Sequence, residues 1–192
     1  MAQVSNNLIL NNNITKAICY EKVFNNDECK YMISEVLKIQ QNIASKLNYK
    51  DNVNKTLSTD INNIESLKSF IEQIRSHIVE ANKIFNFNID SFREVIFLNY
   101  EKDAYMSWHK DIGENKVSEK KNIHSRKITI SLLLSSEEDY DGGELLFTPD
   151  IKMKQTQGSI IAYPSYMVHC VKKIERGNRY SIIASANGPN FR

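Results

Sequence analysis

Two histidines and one aspartate give this chain its candidate metal chemistry. In His109-Lys110-Asp111 an imidazole and a carboxylate stand two residues apart. In extended backbone, positions i and i+2 project to one face, so both can enter one cavity while Lys110 points away. His169 follows 58 residues after Asp111, at the start of another apolar run, and is placed to close the set from across a barrel. Two imidazoles and one carboxylate form the facial triad of non-haem Fe(II) sites, which leaves coordination positions open; zinc accepts the same three ligands. Arg179 lies ten residues beyond His169, just past the turn Glu175–Asn178, and is expected on a strand pairing with that of His169. Its permanent charge and planar fork suit the far carboxylate of a small dianion chelating the metal. A divalent metal, one aspartate, such a dianion and one arginine cancel in charge, as a buried site demands.

The elements that must position these residues fall into two halves. Residues 14–24 read as a strand, after which Asn26 or Asp27 can cap a helix running to about Ser45. Cys29, Met32, Ile33, Val36, Leu37 and Ile43 share one face of it. The polar stretch Lys46–Asn63 has no period and reads as a long loop. A second helix carries Ile64, Leu67, Phe70, Ile71, Ile74, Ile78 and Ala81 on one stripe. From Ser91 onward the pattern changes to short β-rich runs: Arg93–Tyr100, Lys127–Ser135, Glu144–Thr148, Ile151–Gln155, Ser159–Tyr163, Val168–Ile174 and Tyr180–Ala186. Turn signals separate them at 141–143, 148–150, 157–158 and 176–178. The expected fold is α+β, a double-stranded β-helix (jelly roll) with N-terminal helices packed on one face. One domain over 1–192 is expected, helical in 1–90 and with its metal-binding β core in 91–192.

Composition narrows the function classes. The 192 residues carry 25 Lys+Arg against 23 Asp+Glu, a net charge of +2, with 41% hydrophobic residues, 6 Gly and 3 Pro. That balance suits an ordinary globular chain, excludes fibrous or low-complexity readings, and supplies no strong basic field for nucleic acid. Cys19, Cys29 and Cys170 are odd in number and show no CxxC spacing, so neither a disulfide framework nor a cysteine zinc site is indicated. No basic leader with a long apolar core and no run of about 20 apolar residues occurs; a cytoplasmic chain without a membrane partner is expected.

Four ordered segments carry a resemblance. They are Tyr-Met-Ser-Trp-His-Lys-Asp (105–111), Asp-Gly-Gly-Glu-Leu-Leu-Phe (141–147), Gly-Ser-Ile-Ile-Ala-Tyr-Pro-Ser (158–165) and His-Cys-Val-Lys-Lys-Ile-Glu-Arg-Gly-Asn-Arg-Tyr-Ser (169–181). Over about Tyr100 to Phe191 the chain resembles the Fe(II)/2-oxoglutarate-dependent dioxygenases of the prolyl 4-hydroxylase type. The resemblance implies His109, Asp111 and His169 on Fe(II), Arg179 on the C5 carboxylate of 2-oxoglutarate, and Tyr100 as a further cosubstrate contact. It implies O2 as oxidant, L-ascorbate as an accessory reductant, Arg126 as a substrate contact and a prolyl residue of a peptide or protein as substrate. A free amino acid or other small molecule is the alternative substrate, and a non-catalytic metal-binding jelly roll the alternative class; nucleic-acid demethylation is disfavoured by the missing basic stripe. Asp111 argues against a halogenase. The chain departs from its relatives at Leu133 and Ser185, where they carry aromatic residues, so the cosubstrate wall is expected to be rebuilt.

Neighbouring residues have plainer readings beside these. Trp108 can stack on a substrate or form a wall on the opposite face of its strand. His77 on the second helix and His124 in a polar loop read as surface or boundary histidines, and Cys170 as core. Gly113–Asn122, charged and aperiodic after the metal pair, reads as a lid or as solvated loop.

Overall fold

The computed structural model describes residues 17–44, 56–112, 124–148 and 151–190. Among the described residues, two helices, α1 (Asn26–Ala44) and α2 (Lys68–Phe85), accompany thirteen strands: β1 (Ile18–Tyr20), β2 (Thr56–Asp60), β3 (Ser91–Phe92), β4 (Ile96–Tyr100), β5 (Met106–His109), β6 (His124–Leu133), β7 (Tyr140–Gly142), β8 (Leu145–Phe147), β9 (Ile151–Lys152), β10 (Ile160–Pro164), β11 (His169–Val171), β12 (Ile174–Gly177) and β13 (Arg179–Pro189). The large antiparallel sheet runs β1-β10-β6-β13-β4-β2, with β3 also on β13; the small sheet runs β5-β11-β8-β9, and β12 pairs with β7.

Side-chain alternation explains why the central strands read as continuous apolar runs. In β10, Ile160 and Ala162 pack in the core shared with the helices, whereas Ile161 and Tyr163 join the core shared with Phe147 and Val171 of the small sheet. Both faces of the large sheet are covered, so neither can be polar throughout. In β6 and β13 the helix side is apolar (Ile128, Ile130, Leu132; Ile182, Ala184, Ala186). Their other side carries Thr129 and Ser131, and Arg179, Ser181 and Ser185, all buried. Small polar residues on a buried face leave room for something other than protein.

The helices form for local reasons. Glu28 N–H donates to Asn25 Oδ1 (3.0 Å) and Asn25 N–H to Glu28 Oε2 (2.7 Å), a reciprocal capping box. The cap is therefore Asn25, not Asn26 or Asp27, because only Asn25 stands three residues before that glutamate. Cys29, Met32 and Val36 are fully buried on the inner face of α1, and Ile71, Ile74, Ile78 and Ala81 on that of α2. Asn86 ends α2 in the left-handed region at φ 55°, its N–H donating to Asn82 O, a role asparagine tolerates.

Three sequence expectations need correction. The stretch read as loop contains β2, which pairs with β4 along the sheet edge; its side chains Thr-Leu-Ser-Thr-Asp are mostly exposed, and an exposed edge needs no apolar alternation. Only Ile18–Tyr20 of the strand expected over 14–24 is extended within the described residues. His124 begins β6 rather than lying in a loop. Residues 46–55, Gly113–Asn122 and the end of the first helix at Ser45 lie outside the described residues.

Gly158 sits at φ +76°, and a Cβ there would meet Phe24 O at 1.9 Å, where Phe24 N–H donates to Gly158 O (3.1 Å). Gly158→Ala is expected to cost more than ~1 kcal/mol of stability, from the strained φ and the blocked approach together; chemical denaturation checks it. The three cysteines are buried and none is in a disulfide. Burial first, then a nearby glutamate, pushes the Cys19 thiol up to about 11 and Cys29 to about 12, which makes them core rather than nucleophiles. Among the described residues, no helix is long and apolar enough to cross a membrane.

Candidate active site

The site sits where the small sheet faces the large one. β5 and β11 are neighbours with His109 opposite His169 in register, so His169 closes the set from the adjoining strand, not from across the barrel. Asp111 lies in the turn just past β5 and is held by its N–H donating to Ser165 O (2.9 Å). Candidate ligand atoms of His109, Asp111 and His169 all fall within 4.8 Å of one another. Each histidine Nε2 is 3.5 Å from an Asp111 oxygen, His109 from Oδ1 and His169 from Oδ2.

The outer contacts aim both imidazoles. His109 Nδ1 lies 2.7 Å from Ser107 O and His169 Nδ1 lies 3.0 Å from Met167 O. A carbonyl only accepts, so each Nδ1 carries the proton and each neutral ring turns an Nε2 lone pair toward Asp111. Two neutral nitrogens and a carboxylate in one cluster are a donor set that fits a divalent cation.

Electrostatics in the cluster follow from burial and contact. The hydrogen bond with Asp111 raises the His109 pKa above its ordinary value, outweighing burial. Burial, the largest influence on Asp111, pushes it up, but the hydrogen bond with His109 and the charges of both histidines hold its carboxyl below the usual value. Burial lowers His169. Protons therefore compete with a metal at His109 from a higher pH than at an isolated imidazole. Metal affinity is expected to fall as pH drops, beginning above the ordinary imidazole value of about 6.5; Zn(II) titration calorimetry at pH 8 and pH 6 checks the sign, and equal affinities would contradict it.

Arg179 enters the same cavity from the large sheet. Its strand pairs with β4 and β6, not with β11 as expected; most of the expected turn before it is strand β12, which pairs with β7 in a separate two-stranded sheet and carries the chain from one sheet to the other. The residue is 2% exposed. Nη1 donates to Ser181 Oγ (3.1 Å) and Nη2 to Gln155 Oε1 (3.5 Å), while Nε is buried without a partner among the described residues. The guanidinium carbon lies 5.6 Å from the Tyr100 ring centroid. Gly143 makes its passage possible, since a Cβ there would stand 2.9 Å from Arg179 Cδ. Among the described residues no carboxylate pairs with this cation, so a buried charge waits for an anion.

The cavity holding these groups has a volume of about 190 Å³ and is lined by Tyr100, His109, Asp111, Arg126, His169 and Arg179 among others. Ser131, Ser181 and Ser185 form part of its wall. Leu133 is buried beside Ser181 in register. Arg126 Nη1 lies 3.9 Å from Asp111 Oδ1. Trp108, 44% exposed, is not among the lining residues, and half-buried His77 bonds Gln73 O on α2.

Tyr163 escaped the sequence reading. Fully enclosed on β10, its hydroxyl donates to Asp111 Oδ2 (3.1 Å) and lies 3.2 Å from His169 Nε2. Burial and then the Asp111 charge raise its pKa well above the ordinary value, so it stays a phenol. The available signal was its place on the inward alternation of Gly158–Ser165, two residues from Ile161. Tyr163→Phe is expected to weaken metal binding about tenfold, the usual size for an outer contact that orients a ligand, with little loss of thermal stability; an unchanged metal affinity would show the contact to be idle.

A two-histidine, one-carboxylate cluster between two antiparallel sheets defines a candidate mononuclear metal centre with a cationic anion site beside it. A family model for the 2OG-Fe(II) oxygenase superfamily matches residues 95–184, a span that includes His109, Asp111, His169 and Arg179. A PKHD-type hydroxylase of Crocosphaera subtropica is 28% identical over 118 residues, 59% of this chain and 52% of that protein; the chain thus spans about half the length of that relative. The fold matches the viral collagen prolyl hydroxylase of Paramecium Bursaria Chlorella virus-1 in complex with 2OG, with a TM-score of 0.67 at 17% identity, over 91% of this chain and 96% of that one. A Trichoplax adhaerens prolyl hydroxylase, in complex with a hypoxia inducible factor peptide fragment, matches with a TM-score of 0.65 at 17% identity, over 88% and 82%. Residues 95–184 thus resemble a 2OG-Fe(II) oxygenase domain. That family implies Fe(II), 2-oxoglutarate and O2.

Proposed function

We propose that the chain is an Fe(II)- and 2-oxoglutarate-dependent hydroxylase acting on prolyl residues of a peptide or protein. One observation carries it: a buried arginine without a carboxylate partner among the described residues shares a cavity with a two-histidine, one-carboxylate cluster. His109, Asp111 and His169 would hold Fe(II), and Arg179, steadied by Ser181, Gln155 and the Tyr100 ring, would hold the far carboxylate of 2-oxoglutarate. Bound together, these two supply the oxidative chemistry, in which O2 is consumed, the cosubstrate leaves as succinate and CO2, and the substrate gains a hydroxyl. The protein's share is to orient ligand and cosubstrate in a shielded cavity. We read the paired sheets as a double-stranded β-helix and the chain as one domain, with β1 and β2 of its first half completing the large sheet. Trp108, outside the cavity, could touch only the outer part of a long substrate. L-Ascorbate would serve as accessory reductant, and a cytoplasm-like compartment would keep iron and thiols reduced.

The prolyl preference draws on the named relatives. The test is to incubate the protein aerobically with Fe(II), 2-oxoglutarate, ascorbate and proline-containing peptides, following succinate and a one-oxygen mass gain. Metal binding without any succinate would favour the non-catalytic reading instead.

A further inference from the structure

The cavity carries more positive charge than the proposed reaction uses. Its described lining includes three guanidiniums, Arg93, Arg126 and Arg179, and two carboxylates, Glu94 and Asp111; with both imidazoles neutral, one positive charge is left over. A divalent iron and a dianionic cosubstrate cancel one another and leave that excess in place. Arg93 and Glu94 satisfy each other at the mouth, Nε donating to Oε2 at 3.2 Å, and Arg179 is taken by the cosubstrate. The surplus falls on Arg126.

Arg126 is placed to use it. Only a third of its side chain is exposed, and Nη1 stands 3.9 Å from Asp111 Oδ1. Its Nε is buried with no hydrogen-bond partner among the described residues. Glu94 is within its electrostatic reach, but that carboxylate is already engaged by Arg93. Once Asp111 gives its charge to a metal, Arg126 faces a dication with no counter-ion of its own among the described residues, a costly arrangement in a half-buried site.

We propose that Arg126 receives a carboxylate on the substrate, carried by the same residue that is hydroxylated. A guanidinium this close to a metal ligand can reach only groups near the reacting carbon. An internal prolyl residue presents a neutral amide there, whereas a free amino acid or the last residue of a peptide presents the anion that closes the charge. The preferred substrate is therefore a residue with a free α-carboxylate. This rests on the hydroxylase reading and adds the substrate class to it.

The test begins with anaerobic protein, Fe(II) and 2-oxoglutarate, whose visible charge-transfer band reports chelation; without that band the hydroxylase reading itself fails. Matched probes are then titrated: L-proline against L-prolinamide, and acetyl-alanyl-proline against its C-terminal amide. A carboxylate member is expected to perturb the band, and on admission of air to stimulate succinate release, at a concentration at least about tenfold below its amide, as removal of one member of a charged pair implies. Free proline and the dipeptide acid separate the two sources of carboxylate. Arg126→Gln should erase the preference while the cosubstrate band persists, and Arg126→Lys should restore part of it. Equal response to acid and amide, no response to either acid, or a preference intact in Arg126→Gln would overturn the proposal with the hydroxylase reading still standing.

Discussion

Asp111→Ala is expected to abolish 2-oxoglutarate turnover. Asp111 is the one anion in the cluster, and its two oxygens face the two imidazoles at 3.5 Å each. Without it, two neutral nitrogens would have to hold a dication, and Arg126, 3.9 Å from the vanished oxygen, would repel that dication directly. The loss therefore appears in metal affinity as well as in turnover. Asp111→Asn keeps the shape and removes the charge, so it should fail almost as completely. Asp111→Glu keeps the charge but lengthens the arm; the backbone is pinned through Ser165 O, so the carboxylate overshoots, and severe impairment is expected. Fe(II) or Zn(II) calorimetry alongside succinate release separates these cases. Turnover by Asp111→Ala near the wild-type level would remove this residue from the metal site. The Tyr163 hydroxyl, left facing His169 Nε2 alone at 3.2 Å, offers no charge in its place.

The same residue shows what was legible in sequence. His109, Asp111 and His169 could be grouped because spacing and ligand chemistry are local facts, and the i, i+2 alternation holds even though β5 ends at His109 and Asp111 sits in a turn. Which strands adjoin was not legible. Arg179 follows His169 by ten residues, yet lies on the facing sheet, because β12, paired with β7, diverts the chain between sheets. Strand pairing is a long-range choice that no local pattern encodes. Tyr163 was missed for a related reason: its partners lie 52 and 6 residues away, and an inward tyrosine reads like any core aromatic until those partners are placed. Gln155 and Ser181 likewise acquire meaning only through the Arg179 guanidinium. β2 was invisible because an exposed edge strand has no buried face to betray it.

Arg179→Ala is expected to raise the apparent KM for 2-oxoglutarate at least about tenfold with Fe(II) affinity nearly unchanged. The substitution removes a charge-assisted pairing in a desolvated pocket, which is typically worth a few kcal/mol, and ~1.4 kcal/mol already makes a factor of ten. The surroundings sharpen this expectation. The cavity wall near it includes Ser131, Ser181 and Ser185, hydroxyls that hydrogen-bond an anion but cannot neutralise it. Tyr100, its phenol pKa raised by burial despite the Arg179 charge beside it, contributes a ring face and a neutral hydroxyl. Among the described residues lining the pocket, neither other guanidinium stands where Arg179 does: Arg93 is held by Glu94, and Arg126, beside Asp111, is the one proposed to hold the substrate. Arg179→Lys should recover only part of the loss, because a point charge cannot donate at once toward Ser181, Gln155 and a carboxylate as the planar fork does. Stability should not follow the same order. The wild-type protein buries this cation with no carboxylate against it among the described residues, so Arg179→Ala need not unfold the domain, and thermal melting without 2-oxoglutarate should separate folding from binding. Saturating 2-oxoglutarate should stabilise the wild type and leave Arg179→Ala nearly unmoved. An unchanged KM in Arg179→Ala, with Fe(II) still bound, would move the cosubstrate site to Arg126 or Lys127 and take the substrate assignment of Arg126 with it.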